Sequence, residues 1–200
     1  MNLILVDRNI PMTNAWAEAF EGISSNLSIF TGSIFDVECD TMVSPANSFG
    51  FMDGGLDLHL SRYLGWHVQE RLQALIRKKH HGELLVGQAE IVATDHPKTP
   101  YLISAPTMRV PIAVKNTMNA YLAFRAVLLL VKHGKFDDGS PISEAVKTIA
   151  ITGLGTGVGK MPYTTCAKQM KAAYDEVVLE KGYFPRSWDE AQILQVWLSY

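Results

Sequence analysis

Apolar residues along this chain recur with two different periods. Short runs at Leu3 to Val6, Leu27 to Phe30, Thr41 to Ser44, Gln88 to Thr94, Tyr101 to Ser104 and Thr148 to Thr152 are bounded by polar or turn residues and read as strands. Between them the spacing becomes helical. Met12, Trp16, Ala19 and Phe20 share one face, and Leu60, Leu64, Val68, Leu72, Leu75 and Ile76 predict a single continuous helix from about Leu58 to Lys79. Thr117 to His133 is a third helix, with Gly134 as its cap, and a fourth runs from about Pro162 to Lys181. A last helix starts at Ser187, whose spacing to Glu190 fits a capping box. Strands alternating with helices predict an α/β protein, a three-layer α/β/α sandwich around a mixed, largely parallel central sheet, as one domain over residues 1–200.

Composition narrows the class. With 48% apolar and 19% charged residues, the 200-residue chain is globular and long enough for a sizeable core. Its net charge of −2, from 18 basic and 20 acidic residues, gives no long-range attraction to nucleic acid or to an anionic membrane. The basic run Arg77 to His81 reads as a solvated helix end. Cys39 and Cys166 form no disulfide framework, and no histidine or cysteine spacing calls for a metal. The apolar runs at Met1 to Asp7 and Ala126 to Val131 are too short for a signal peptide or a membrane span, so a cytoplasmic location is expected.

The chemistry concentrates in two loops. Strand Thr41 to Ser44 runs into a turn with Asn47 and Asp57 at its ends and Gly54 and Gly55 before the acid. Glycine there lets backbone N–H groups approach an anion. Strand Thr148 to Thr152 runs into Gly153-Leu154-Gly155-Thr156-Gly157-Val158-Gly159. The second loop is not a P-loop, which would need glycine at Leu154 and a hydroxyl at Met161, nor a dinucleotide fingerprint, which would need glycine at Val158. Ligands of open α/β sheets bind outside the carboxyl ends of strands, so two such loops on neighbouring strands would face one another across one cleft.

On these residues the chain resembles the macrodomains, which bind ADP-ribose and in many members hydrolyse bonds to it. The likeness lies in the ten-residue step from Asn47 to Asp57 with Gly54-Gly55-Leu56 before the acid, in the G-x-G-x-G segment Gly153 to Gly157, and in the apolar strand that begins at Tyr101. It implies that Ser33, Ile34, Ala46, Gly54, Gly55, Leu56, Gly153, Gly155, Thr156, Gly157 and Val158 bind the ligand. It further implies that Asn47 orients the distal ribose and that Asp57 positions water, as the two catalytic candidates, with no cofactor and no metal. Asn47 as an Asx turn and Asp57 as a helix N-cap are the local alternatives.

Three departures from the family pattern bear on function. Ser33 stands where macrodomains place an Asp that accepts from the adenine amino group, Asp53 replaces a glycine, and Ser61 takes the place of a histidine found in many hydrolytic relatives. Asp7 and Asp36 are candidate substitutes at the base, and Phe49, Phe51 and Tyr163 are candidate stacking residues. The resemblance therefore implies either an ADP-ribose-derivative hydrolase acting on an ADP-ribosylated small molecule or protein, or a non-catalytic reader of a nucleotide diphosphate.

Overall fold

A computed structural model describes residues 1–23 and 25–200. Its centre is a six-stranded sheet built from β1 (Asn2–Asp7), β2 (Leu27–Thr31), β3 (Thr41–Ser44), β4 (Glu90–Ala93), β5 (Tyr101–Ser104) and β6 (Thr148–Ile151), in the order β2-β1-β6-β3-β5-β4. Every pairing is parallel except that of the edge strand β4 with β5. Such a sheet must be covered on both faces, and its inner strands accordingly lack polar alternation.

The period of two decides which side chain serves which face. Leu3, Leu5, Val43, Ile103, Ile149 and Ile151 enter one core, whereas Val6, Met42, Leu102 and Ala150 enter the other. Helices α1 (Ile10–Ala19), α4 (Asn119–His133) and α6 (Tyr163–Val177) cover the first face. There Trp16 is fully buried with its indole N–H 3.4 Å from the Met170 sulfur, and Phe20 meets Tyr174 edge-on at 5.7 Å. Helices α2 (Gly55–Leu64) and α3 (His67–His80) cover the other face through Leu60, Leu64, Val68, Leu72 and Ile76. The three-layer sandwich is the fold. A one-turn α5 (Ile142–Ala145) and a C-terminal α7 (Trp188–Ser199) complete the order. Among the described residues no helix is long and apolar enough to cross a membrane.

Several boundaries differ from the sequence expectation. The single helix over Leu58 to Lys79 is two helices, α2 and α3, broken at Gly65, whose φ of 101° with ψ of 146° is open only to glycine. The apolar face continues across the break, which is why periodicity alone runs through it. Gly134 does end α4, but with a φ of −71°, and its small size matters because a Cβ there would sit 2.3 Å from the Leu130 carbonyl oxygen. Pro162 lies just outside α6 as its N-cap, and β4 is shorter than the run Gln88 to Thr94. The capping box is present: the Ser187 hydroxyl accepts from the Glu190 N–H at 3.2 Å.

Five parallel strands end at the same edge of the sheet, so the segments after Asp7, Thr31, Ser44, Ser104 and Ile151 gather there. Because β6 pairs with β3, the two glycine loops leave adjacent strands. Replacing Gly65 by Ala should lower stability by about 1–3 kcal/mol, since alanine must occupy a glycine-only backbone region. Gly157→Ala, at a site with open space and no positive φ, should change it by a few tenths at most; urea melts of both variants check this.

Candidate functional site

The gathered loops enclose a cleft of about 1030 Å³. Its first wall is the loop from Pro45 to Gly54. Asn47 holds this loop with its own side chain, Oδ1 accepting from the N–H of Phe49 at 3.1 Å and of Phe51 at 3.3 Å while Nδ2 donates to the Phe51 carbonyl at 2.8 Å. The Asx-turn role is thus real. One Nδ2 hydrogen remains uncommitted by this pattern. Further along, the Met52 N–H donates to Gln69 Oε1 at 2.6 Å and the Ser61 hydroxyl donates to the Met52 carbonyl at 2.8 Å. Ser61 is buried, so its side chain fastens the loop to α2.

The loop then turns into α2. Gly54 is the N-cap in an extended conformation and Gly55 takes a φ of +54°, so the chain enters the helix with its first N–H groups unpaired within it. Such an end attracts anions. Asp57 lies inside this first turn and is not the N-cap, which corrects the capping alternative. Its carboxylate Oδ1 accepts from the Ser44 hydroxyl at 2.6 Å, the last residue of β3, and the residue is only 8% exposed. Burial pushes its pKa up to about 6, against the opposing pull of the Ser44 hydrogen bond.

The second wall is the loop after β6. The Gly153 N–H donates to Asp7 Oδ2 at 3.2 Å, and the other Asp7 oxygen accepts from the N–H and the side-chain amide of Asn9 at 2.9 and 2.8 Å. Asp7 therefore ties the β1–α1 turn to the glycine loop, with both oxygens engaged. The Met161 N–H closes back on the Gly155 carbonyl at 3.0 Å, and the Val114 N–H on that of Gly159 at 2.7 Å. A Cβ at Gly159 would meet the Gly155 carbonyl oxygen at 2.4 Å, whereas at Gly54 and Gly157 it would meet nothing within 4 Å. Those two glycines border the open cleft.

At one end of the cleft Ser33 caps a short 3-10 turn at Ile34–Asp36. Its hydroxyl oxygen accepts from the Phe35 N–H at 3.3 Å and from the Arg8 guanidinium at 3.1 Å. Two lone pairs are thereby used, leaving the hydroxyl to act as a donor. Arg8, which sequence reasoning passed over, is the one lysine or arginine among the described lining residues. The third wall was also missed: Met108, Val110 and Pro111 follow β5, anchored where Thr107 N–H donates to the Ala46 carbonyl at 3.0 Å and Asn119 donates to the Thr107 carbonyl at 2.7 Å. No local motif marks either feature.

The structure brings Ser33, Ile34, Ala46, Asn47, Gly54, Gly55, Leu56, Asp57, Gly153, Gly155, Thr156, Gly157 and Val158 to this one cleft. Phe49, Phe51 and Tyr163 line it too; Phe49 carries the Arg109 guanidinium 5.2 Å from its ring centre, and Phe51 is half exposed. Asp53 and His59 are exposed on its wall, whereas Asp36 is exposed outside it.

A largely apolar cleft with two N–H-rich loops lies at the carboxyl edge of a mixed α/β sheet, the place where open α/β folds hold ligands. A family model for the Macro domain matches residues 43–170, and the chain belongs to that family. An uncharacterized protein of Aquifex aeolicus is 31% identical over 145 residues, which is 72% of this chain and 78% of that relative. One from Aeropyrum pernix is 30% identical over 161 residues, covering 80% and 75%. Among solved structures, the macrodomain of Mycobacterium tuberculosis DarG superposes with a TM-score of 0.58 at 16% identity, over 72% of this chain and 87% of that one. An Oceanobacillus iheyensis macrodomain variant solved with ADPR gives 0.55 at 17%, over 71% and 73%. Thermosipho africanus DarTG in complex with ADP-ribose gives 0.57 at 19%, over 78% of this chain and 39% of that one.

The raised Asp57 pKa has a consequence for stability. The folded state holds this proton more tightly than the unfolded chain, whose Asp titrates near 3.8, so the stability that the neutral carboxyl contributes is fully present below pH 3.8 and is lost as pH rises toward about 6. The stability of Asp57→Asn relative to the native chain should therefore rise by about 2 kcal/mol between pH 4 and pH 7. Denaturant melts across that range check the slope.

Proposed function

We propose that the cleft binds ADP-ribose or a close derivative and hydrolyses an ester or glycosidic bond at its distal ribose. The observation that carries this reading is a buried carboxyl, Asp57, with a pKa near 6, set in the first turn of a helix that opens on the same cleft as the second glycine loop. In this reading the N–H groups at the start of α2 and in the loop from Gly153 to Gly157 hold the diphosphate, with Arg8 as the one lysine or arginine among the described lining residues. The free Nδ2 hydrogen of Asn47 faces the distal ribose.

Chemistry then follows from Asp57. Above pH 6 its carboxylate takes a proton from water as the water oxygen bonds to the electrophilic carbon, an ester carbonyl or the anomeric carbon. The bond to the departing oxygen breaks, and Asp57 passes the proton it took from water to that oxygen as it leaves. Ser44 holds the carboxylate in line at 2.6 Å. Candidate substrates are O-acetyl-ADP-ribose, ADP-ribose 1″-phosphate and ADP-ribosyl groups on acidic side chains.

A second reading, a non-catalytic reader, is favoured by Ser33 and Ser61. The Ser33 oxygen is already filled by Arg8 and Phe35, so that end of the cleft offers donors to a base, and Ser61 is a loop fastener with no free chemistry. A donor-lined base end would favour a carbonyl over an amino group on the purine edge.

Calorimetry with ADP-ribose, AMP and non-adenine diphosphate sugars should give micromolar or tighter binding for ADP-ribose, lost in Gly157→Glu, whose carboxylate would project into the cleft; retained binding there would overturn the diphosphate placement. Asp57→Ala should keep much of the affinity while turnover of O-acetyl-ADP-ribose falls about 10²–10⁴-fold. For the native chain kcat/KM should rise with pH through about 6. No turnover of any candidate, with binding intact, identifies a reader.

A further inference from the structure

The cleft crosses the carboxyl edge of the sheet in strand order, so its two ends differ. The N–H-rich loops follow the paired strands β6 and β3, whereas Asp7, Arg8 and residues 32–35 follow β1 and β2. At about 4.8 Å between strands, a ligand whose diphosphate lies at β6 and β3 reaches β2 roughly 10 Å further on. The walls there are apolar. Ile34 is buried, Leu56 on α2 is half-buried, and Phe35 packs on Tyr63 with ring centres 4.9 Å apart. Such walls suit the faces of a heterocyclic base, and the few polar groups at its edge then decide which base.

Those groups are chiefly donors. The Ser33 oxygen accepts from the Phe35 N–H and from Arg8 Nη2, which leaves its O–H to donate. Among the described residues Arg8 makes no other hydrogen bond and no ion pair, so the rest of its guanidinium fork is unspent. The neighbouring Asp7 is turned instead to the Gly153 N–H and to Asn9. The Asn9 amide nitrogen is thereby committed, and its side-chain oxygen is left as an acceptor. We infer that Arg8 makes the cleft selective for a 6-oxopurine, hypoxanthine or guanine, in place of adenine. The inference rests on reading the cleft as a nucleoside diphosphate-ribose site. The free guanidinium N–H groups donate to O6 and N7 together, a pair of acceptors that a planar fork matches. Adenine keeps N7 but presents an amino group, itself a donor, to the same N–H groups, so donors on both sides stay unpaired. The Asn9 oxygen suits the N1–H that a 6-oxopurine carries and adenine lacks.

Calorimetry on the native chain should compare ADP-ribose with its inosine and guanosine counterparts, which differ from it in the base alone. At least one 6-oxopurine ligand should bind about 10-fold or more tighter than ADP-ribose, and the better of the two identifies the base. Arg8→Ala, at an exposed position, should weaken that ligand about 10-fold while changing ADP-ribose little, so that the preference disappears. A residue that merely fastened Ser33 would weaken all three ligands alike. Equal affinities, a preference for adenine, or a preference that survives Arg8→Ala would each overturn the inference and leave the proposed binding site standing. No binding of any of the three would overturn that site as well.

Discussion

Strand β6 is hydrogen-bonded on both sides, to β1 through Thr148 to Ile151 and to β3 through Ile149 and Ala150. It is the last strand in the chain yet occupies the middle of the sheet, so its insertion closes the gap between β1 and β3 and buries Ile149, Ala150 and Ile151 completely. Everything at the cleft depends on that insertion. Without it the Gly153 to Gly159 loop would not stand beside the loop after Ser44, and the Asp7 carboxylate would have no Gly153 N–H to hold. The apolar character of the central strands enforces it, because polar backbone in a sheet covered on both faces has no alternative partner.

Among its described lining residues the cleft carries one lysine or arginine, Arg8, and otherwise presents backbone N–H groups. Glycines supply close approach, helix α2 supplies an unpaired N-terminal turn, and side chains mostly hold these backbone groups in place. Asn47, Ser61, Gln69 and Asp7 all spend their hydrogen bonds on loop geometry. Asp57 is different. It is buried against Ser44 with no cation beside it among the described residues, an arrangement that destabilises its charged form and leaves it able to exchange a proton near pH 6.

Much was legible in the sequence. Strand and helix periods depend on neighbours a few residues away, so all six strands and the amphipathic helices could be read, as could the two glycine loops and the spacing from Asn47 to Asp57. The break at Gly65 was visible as a glycine and was overridden by an apolar face that continues through Val68 and Leu72 on the other side of it. Arg8 was hidden for another reason: its partner Ser33 is 25 positions away, and nothing local to either residue announces the pair.

The sequence by itself determined the element types, the layered α/β class and the polar and glycine residues available for a site, because each of these follows from local pattern and backbone freedom. Only the tertiary structure decided the strand order, the confinement of Asp57 and the resulting rise in its pKa, and the filling of Ser33 by Arg8. These depend on which distant segments meet, and the free energy of a buried charge or a packed helix is set by those neighbours rather than by the residues beside it in the chain.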